Sequence, residues 1–202
     1  MAKASKKRTG NLRDDCVAEA LSIIAADGID KLSLREVARR LGVSHQAPYK
    51  HYPSRDHLLA EVLQGAYRNF ADYLDSKVRK ETNAQIYLRK MGEAYIRYAM
   101  SHPLEYQLMF NTGLPDPSHH PDMLNLAHHA FDMLRNALKK RAAGSKRSLS
   151  STEIEHLALF VWSTLHGLVS IMRSEIANEL DVGTGRSAIA DVLSHIGKAI
   201  ES

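Results

Sequence analysis

The sequence predicts an all-α protein: an N-terminal three-helix domain of helix-turn-helix type plus a larger C-terminal helical bundle domain, about nine helices in all. Three observations carry this expectation. Apolar residues recur at three- and four-residue spacing along almost the whole chain, and no sustained period-two alternation marks a strand. Helix-starting residues (Ser33, Ser44, Ser54, Thr152) stand just before the apolar-periodic stretches. Glycine and proline fall between those stretches, at Gly28, Gly42, Pro53 and Pro103.

Taken in order, Val17, Ala20, Leu21 and Ile24 set a first stripe in a helix from about Asn11 to Asp27, which Gly28 is placed to end. Ser33 and Glu36 form an S-x-x-E capping pattern for a second helix, whose apolar face is Leu34, Val37, Ala38 and Leu41. Gly42 closes it. Ser44 is a further N-cap for a short segment, His45 to Tyr52. Pro48 falls in its first turn, where a missing N–H costs little. After Pro53, Ser54 caps a long helix carrying Leu58, Leu59, Val62, Ala66 and Phe70.

Helices are then expected over 84–101, 103–110 and about 122–142, with a loop holding Gly113, Pro115, Pro117 and Pro121 before the last of them. Residues 144–151 read as a polar loop. Thr152 and Glu155 offer a further capping pattern for a strongly apolar helix running to about Ile176. Gly183 to Gly185 break the chain. A final helix carries Ile189, Val192, Leu193, Ile196 and Ile200.

The sharpest feature is the stretch 33–52, SLREVARRLGVSHQAPYKHY. It reads as two helices joined by a tight turn at Leu41-Gly42-Val43-Ser44, the layout of a helix-turn-helix whose second helix enters the major groove of DNA. Gly42 suits a turn position of positive φ. Ala38 is small enough for the two helices to cross closely, and Val43 can fill the space between them. The second helix offers His45, Gln46, Tyr49, Lys50 and His51, hydrogen-bonding, aromatic and cationic groups with few apolar neighbours to make a core of them.

In the spacing of Ala38, Gly42, Val43, Ser44, Tyr49, His51, Tyr52, Pro53, Ser54 and Leu58, the chain resembles the TetR family of bacterial regulators over roughly residues 12–62. The resemblance implies phosphate contacts from Ser33, Tyr49, His51 and Arg55, and groove-facing positions at His45, Gln46 and Lys50, with Ser44 and Tyr52 included in the same DNA-binding set. His57 departs from the acidic or small residue common in the family and is given no role. Phosphate contacts would set register. Gln46 and Lys50 could read base edges, each worth roughly 1–3 kcal/mol of discrimination.

Trp162, His166 and Gly167 make a W-x-x-x-H-G pattern that resembles the C-terminal domain of one branch of the same family. The resemblance implies that the last two helices, about 152–177 and 186–201, form a four-helix bundle with their twofold mates. Leu165, Gly167, Leu168, Met172, Val192 and Ile196 are the residues expected at that homodimer interface. A glycine inside a helix costs about 1 kcal/mol against alanine, so Gly167 is read as permitting a close helix approach. The middle of the domain is expected to hold an effector pocket walled by Tyr95, Tyr98, Met109, Phe110, Phe131, Met133, Trp162 and His166, although residues at helical spacing serve equally as plain core.

Charge placement fits this organisation. Residues 1–60 carry 11 Lys/Arg against 7 Asp/Glu, and the remainder carries 16 of each, so the whole formal net charge of +4 lies in the first 60 residues. That asymmetry points to a polyanionic partner at one end. Lys3, Lys6, Lys7 and Arg8 form a basic tail over 1–10, read as disordered. It either adds a sequence-independent contact to the DNA backbone or is merely solvated. The expected domains are 11–55 for DNA binding and 56–202 for ligand sensing and dimerisation.

A hydrophobic content of 44% excludes a disordered chain, and one cysteine excludes an internal disulfide. No apolar run is read as approaching a membrane span, and no signal peptide is read, so the location expected is the cytoplasm, at the nucleoid. His119-His120 and His128-His129 lack metal-ligand spacing, and Glu153-x-x-His156 is a single E-x-x-H. No cofactor, metal or catalytic residues are expected. The function expected is a repressor that binds a palindromic operator as a dimer and is released by a small molecule of unknown identity. A cytosolic all-α enzyme and a helical protein-binding adaptor remain the alternatives.

Overall fold

The computed structural model describes residues 11–111, 113, 115–144, 149–179 and 186–201. Among these residues all regular structure is helical: α1 (Leu12–Asp27), α2 (Leu34–Leu41), α3 (Arg55–Val78), α4 (Ala84–Ser101), α5 (Pro103–Asn111), α6 (Pro121–Ala143), α7 (Ser151–Met172), α8 (Ile176–Glu179) and α9 (Arg186–Glu201). Short 3-10 turns occupy Ile29–Lys31, Pro48–Lys50 and Pro117–His119. The basic tail 1–10, the break at Gly183–Gly185 and residues 145–148 of the polar loop lie outside the described residues. The contacts divide the chain into two compact units, with boundaries inside α3 (between Tyr67 and Arg68), inside α5 (between Tyr106 and Gln107) and in α6 (between Asn125 and Leu126).

In the first unit, the Asn11 side chain accepts a hydrogen bond from the Arg13 N–H and starts α1. Gly28 ends it at φ 86°, ψ 164°, returning its N–H to the Ile24 carbonyl. The 3-10 turn that follows was not legible as an element in the sequence. Ser33 caps α2 by accepting from the Glu36 N–H at 3.1 Å. Only this half of the capping pattern forms, because the Glu36 carboxylate is held by Arg39 (2.7 and 2.6 Å) and Arg40 (2.8 Å). Cys16, Ala20, Ile23, Val37, Ala38, Leu58 and Leu63 are sealed from solvent and form the core. Each of the larger side chains contributes roughly 1.5–3 kcal/mol by burial. Arg40 also reaches Asp27, tying α2 to the end of α1.

In the second unit, α4 packs against α7 and α9. The close approach needs Gly92, since a Cβ there would sit 2.6 Å from Cδ2 of Leu193. The start of α7 differs from expectation. Ser150 and Glu153, not Thr152 and Glu155, form the reciprocal capping box. Glu155 is instead paired with Arg135 of α6 at 2.6 Å. The helix also ends at Met172, short of Ile176, with Arg173 as its C-cap.

Two faces of α7 are apolar. Ile154, Ala158, Val161, Leu165 and Val169 are buried, whereas Leu159 (54%), Phe160 (41%) and Ile171 (49%) are exposed. With both faces apolar, the 22-residue helix would be long and apolar enough to cross a membrane by length and composition alone. Leu165 and Ile196, expected at a dimer interface, are buried inside the single chain at 5% and 6% exposure. Leu168, Met172 and Val192 are half-buried.

Candidate functional site

The turn between α2 and the next segment is built by Gly42 at φ 66°, ψ 34°. Its N–H bonds the Arg39 carbonyl and the Val43 N–H bonds the Ala38 carbonyl, so α2 ends with its last carbonyls satisfied by a left-handed residue. The segment that follows is tighter than the α-helix expected. Ala47, Lys50 and His51 donate their N–H groups three residues back, to Ser44, Ala47 and Pro48. Proline accounts for this: Pro48 has no N–H to give the Ser44 carbonyl, which takes the Ala47 N–H at 2.9 Å.

Two residues anchor the segment. Pro48 is buried, and Tyr52 is only 2% exposed, its hydroxyl donating to the Arg13 carbonyl at 3.2 Å. Between and before these anchors, His45, Gln46, Tyr49, Lys50 and His51 face solvent, and Ser44 is exposed at the start. Ser33 is half-buried, with its oxygen engaged at the α2 N-terminus.

Two residues of the expected DNA-binding set are engaged within the chain. Tyr52, buried, is an internal strut. Arg55 spends its guanidinium on the chain itself, donating from Nε to the Leu32 carbonyl (3.1 Å) and from Nη2 to the Ile29 carbonyl (3.0 Å), with Asp56 at 3.5 Å from Nη1. It fixes the 3-10 turn leading into α2. On α2, hydrogen bonds from Arg39 and Arg40 hold the Glu36 carboxyl down to about 2, so it stays ionised.

The second unit contains a buried polar cluster. Tyr106 Oη lies 2.8 Å from Tyr95 Oη and 2.7 Å from Nδ1 of His166. Trp162 hydrogen-bonds Tyr95, and its ring lies 5.6 Å from Phe131 and 6.2 Å from His166. Indole can only donate, so Tyr95 Oη accepts from Trp162, and it also lies 3.4 Å from His166 Nδ1. Burial pushes the His166 pKa down and keeps the ring neutral, and it pushes the Tyr95 hydroxyl strongly up.

Of the expected pocket residues, Tyr95, Trp162, His166 and Phe131 therefore come together. Tyr98 belongs to a neighbouring group: it donates to Glu105, stacks on His102 at 4.3 Å and meets Phe70. Met133 lines a separate groove of about 520 Å³ with Asp75, His129 and Lys140. Met109 and Phe110 fall in the first unit, where the Met109 carbonyl accepts from Tyr67. Tyr106, the centre of the cluster, was missed by the sequence reading. It lies three and four residues before Met109 and Phe110, and that spacing was the available signal.

Comparison with known proteins places both parts of the chain. Residues 17–62 match the family described as bacterial regulatory proteins, tetR family, and residues 88–191 match the tetracyclin repressor-like C-terminal domain. HTH-type transcriptional regulators Mb1846 of Mycobacterium bovis and Rv1816 of Mycobacterium tuberculosis are each 34% identical over 96 residues, 46% of this chain and 40% of theirs. The match thus spans well under two thirds of those relatives. A Rhodococcus sp. RHA1 protein of unknown function superposes with a TM-score of 0.75 at 23% identity, covering 98% of this chain and 97% of its own. A tetR-family regulatory protein from Rhodococcus RHA1 gives 0.71 at 17% identity, covering 95% and 98%. At these identities the superpositions speak to fold. With the family match covering more than half its length, the chain belongs to the TetR family of bacterial transcriptional regulators, and its helix-turn-helix is a DNA-binding element.

Proposed function

We propose that this regulator is a ligand-responsive repressor that binds a palindromic operator as a homodimer and is released by a small-molecule effector. The observation that carries the reading is the exposure of His45, Gln46, Tyr49, Lys50 and His51 on a segment pinned by buried Pro48 and Tyr52. None of the five side chains is engaged in a hydrogen bond or ion pair among the described residues. Gln46 and Lys50 have the chemistry to read base edges. Ser33, Ser44, Tyr49 and His51 suit phosphate oxygens, and His45 completes the groove-facing set. We assign DNA binding to residues 11–55 and sensing and dimerisation to 56–202, with the molecule acting in the cytoplasm at the nucleoid.

The exposed apolar face of α7 supports self-association. Leu159, Phe160 and Ile171 stand on it, and a Cβ on Gly167 would meet nothing within 4 Å in the single chain. A second copy against this face would complete a twofold dimer and present two reading segments to half-sites about 34–36 Å apart. The effector site is assigned to the cluster of Tyr95, Tyr106, Trp162 and His166. Its hydrogen-bonding groups are neutral, which favours a largely apolar effector with a few polar atoms. Release then follows from tighter binding to the form whose reading heads are wrongly spaced. Footprinting on the DNA upstream of the gene tests the reading. A protected palindrome supports it, and failure of the purified protein to bind that DNA or any genomic palindrome at low salt contradicts it.

A further inference from the structure

We propose that His57 and His120 form a proton-operated latch, which holds the start of α6 on the start of α3 at neutral pH and lets it go when both rings are charged. Gln107–Asn125 belongs to the compact unit that also holds the reading segment. Within that stretch Pro115, His120 and Met123 are buried, and of these three only His120 can change its charge. Its ring meets that of His57 edge to face, with centroids 4.9 Å apart and planes at 83°. The His120 backbone joins two elements. Its N–H donates to the Pro117 carbonyl and closes the 3-10 turn, and its carbonyl accepts the Leu124 N–H in the first turn of α6. His57 is tied to the first turn of α3, its Nδ1 lying 2.9 Å from Oγ of Ser54. Ser54 stands two residues after the Tyr52 strut and next to Arg55, which fixes the turn into α2. The latch therefore bears on the base of the reading segment.

Imidazole is the side chain that changes charge between about pH 5 and 8. Two charged rings at this separation repel each other, and the burial of one adds a desolvation penalty. The groups that act on His120 are His57 and Asp56 from α3 and His119 and Asp116 from the 3-10 turn. Asp122, in the first turn of α6, is exposed. Burial, then His57 and His119, push the His120 pKa down, and the two carboxylates do not reverse this. Both have nearer partners: Asp56 lies 3.5 Å from Arg55 Nη1, and Asp116 accepts from the Ser118 N–H and hydroxyl. A closed form that resists a proton gives way to an open form that takes one. The latch is thus closed above about pH 6.5 and opens as the pH falls below it.

The test is hydrogen exchange of the full-length protein at about pH 7.5 and about pH 5.5, corrected for intrinsic rates, on wild type, H57Q and H120Q. On acidification, wild type is expected to lose about tenfold more protection over residues 117–125 than over α1. H57Q, a change at an exposed position, is expected to shrink that difference, and H120Q to abolish it. Exchange is read on the free protein, so the result does not depend on whether an operator is found. Equal losses over 117–125 and α1 in wild type, no loss over 117–125, or a wild-type difference persisting in either variant would overturn the proposal.

Discussion

The Tyr106 hydroxyl sits 2.7 Å from Nδ1 of His166, joining the short helix α5 to the middle of α7 through one polar contact. The rings are also nearly parallel, with centroids 5.7 Å apart, and the Arg173 guanidinium lies 5.8 Å from the Tyr106 ring. The same hydroxyl lies 2.8 Å from that of Tyr95.

Tyr106→Phe removes both contacts and takes one hydrogen-bond partner from each of Tyr95 and His166. A loss of roughly 1–3 kcal/mol in unfolding free energy is expected, read by urea denaturation. If the cluster is the effector site, the variant also changes the effector concentration needed for release while operator affinity is kept. Unchanged stability would show that the chain of hydroxyls carries no weight in the fold.

Acid should weaken the fold through buried His120 and half-buried His166. Burial holds His166 below the ordinary imidazole value of about 6.5. His120 is lowered first by burial, then by neighbouring His57 and His119. The unfolded chain then binds protons that the folded one resists, so stability is full above about pH 6.5 and falls as the pH drops towards the folded values. His166→Gln should flatten part of this slope in denaturation series between about pH 5 and 7. A wild-type stability that does not fall over that window would contradict the assignment.

Two glycines bracket α2 and its approach, and they should respond differently to substitution. Gly42 is in the left-handed helical region, which asparagine tolerates. Gly28, at φ 86° and ψ 164°, is in a region occupied essentially by glycine alone. Gly28→Asn is expected to cost about 1–3 kcal/mol, and Gly42→Asn under about 1 kcal/mol. Denaturation midpoints check the ranking, and the reverse order would contradict it.

The outer face of α7 offers a test of assembly. Phe160→Glu with Ile171→Glu places two charges where the proposed partner copy would pack, on residues already exposed in the single chain. Sedimentation should show monomers with unchanged helicity. A dimer of wild-type stability in this variant would place the interface elsewhere.

Much of this was legible in the sequence, and the failures have physical causes. The helix over 84–101 was read with its observed limits, because Pro103 closes it and its apolar face is continuous. Position alone could not tell Ser150–Glu153 from Thr152–Glu155, since both pairs have capping spacing. The choice was made by Arg135, which draws Glu155 away. Likewise α7 is apolar on two sides, so periodicity could not say which side meets the chain's own core. Leu165 was assigned outward and is buried, while Leu159 and Phe160 were passed over and are exposed. Tyr52 and Arg55 have the chemistry of phosphate ligands, but their partners are carbonyls distant in sequence: Arg13 for Tyr52, and Ile29 and Leu32 for Arg55.

The central claim is that residues 45–51 meet DNA while Tyr52 only holds them in place. The direct measurement is the affinity of wild type, Tyr49→Phe/Lys50→Ala and Tyr52→Phe for the DNA upstream of the gene, taken across a salt series. Wild-type affinity should fall steeply with salt. The double variant should bind roughly 5–150-fold more weakly, and Tyr52→Phe should keep near wild-type affinity per folded molecule. A double variant that binds as tightly as wild type would contradict the account.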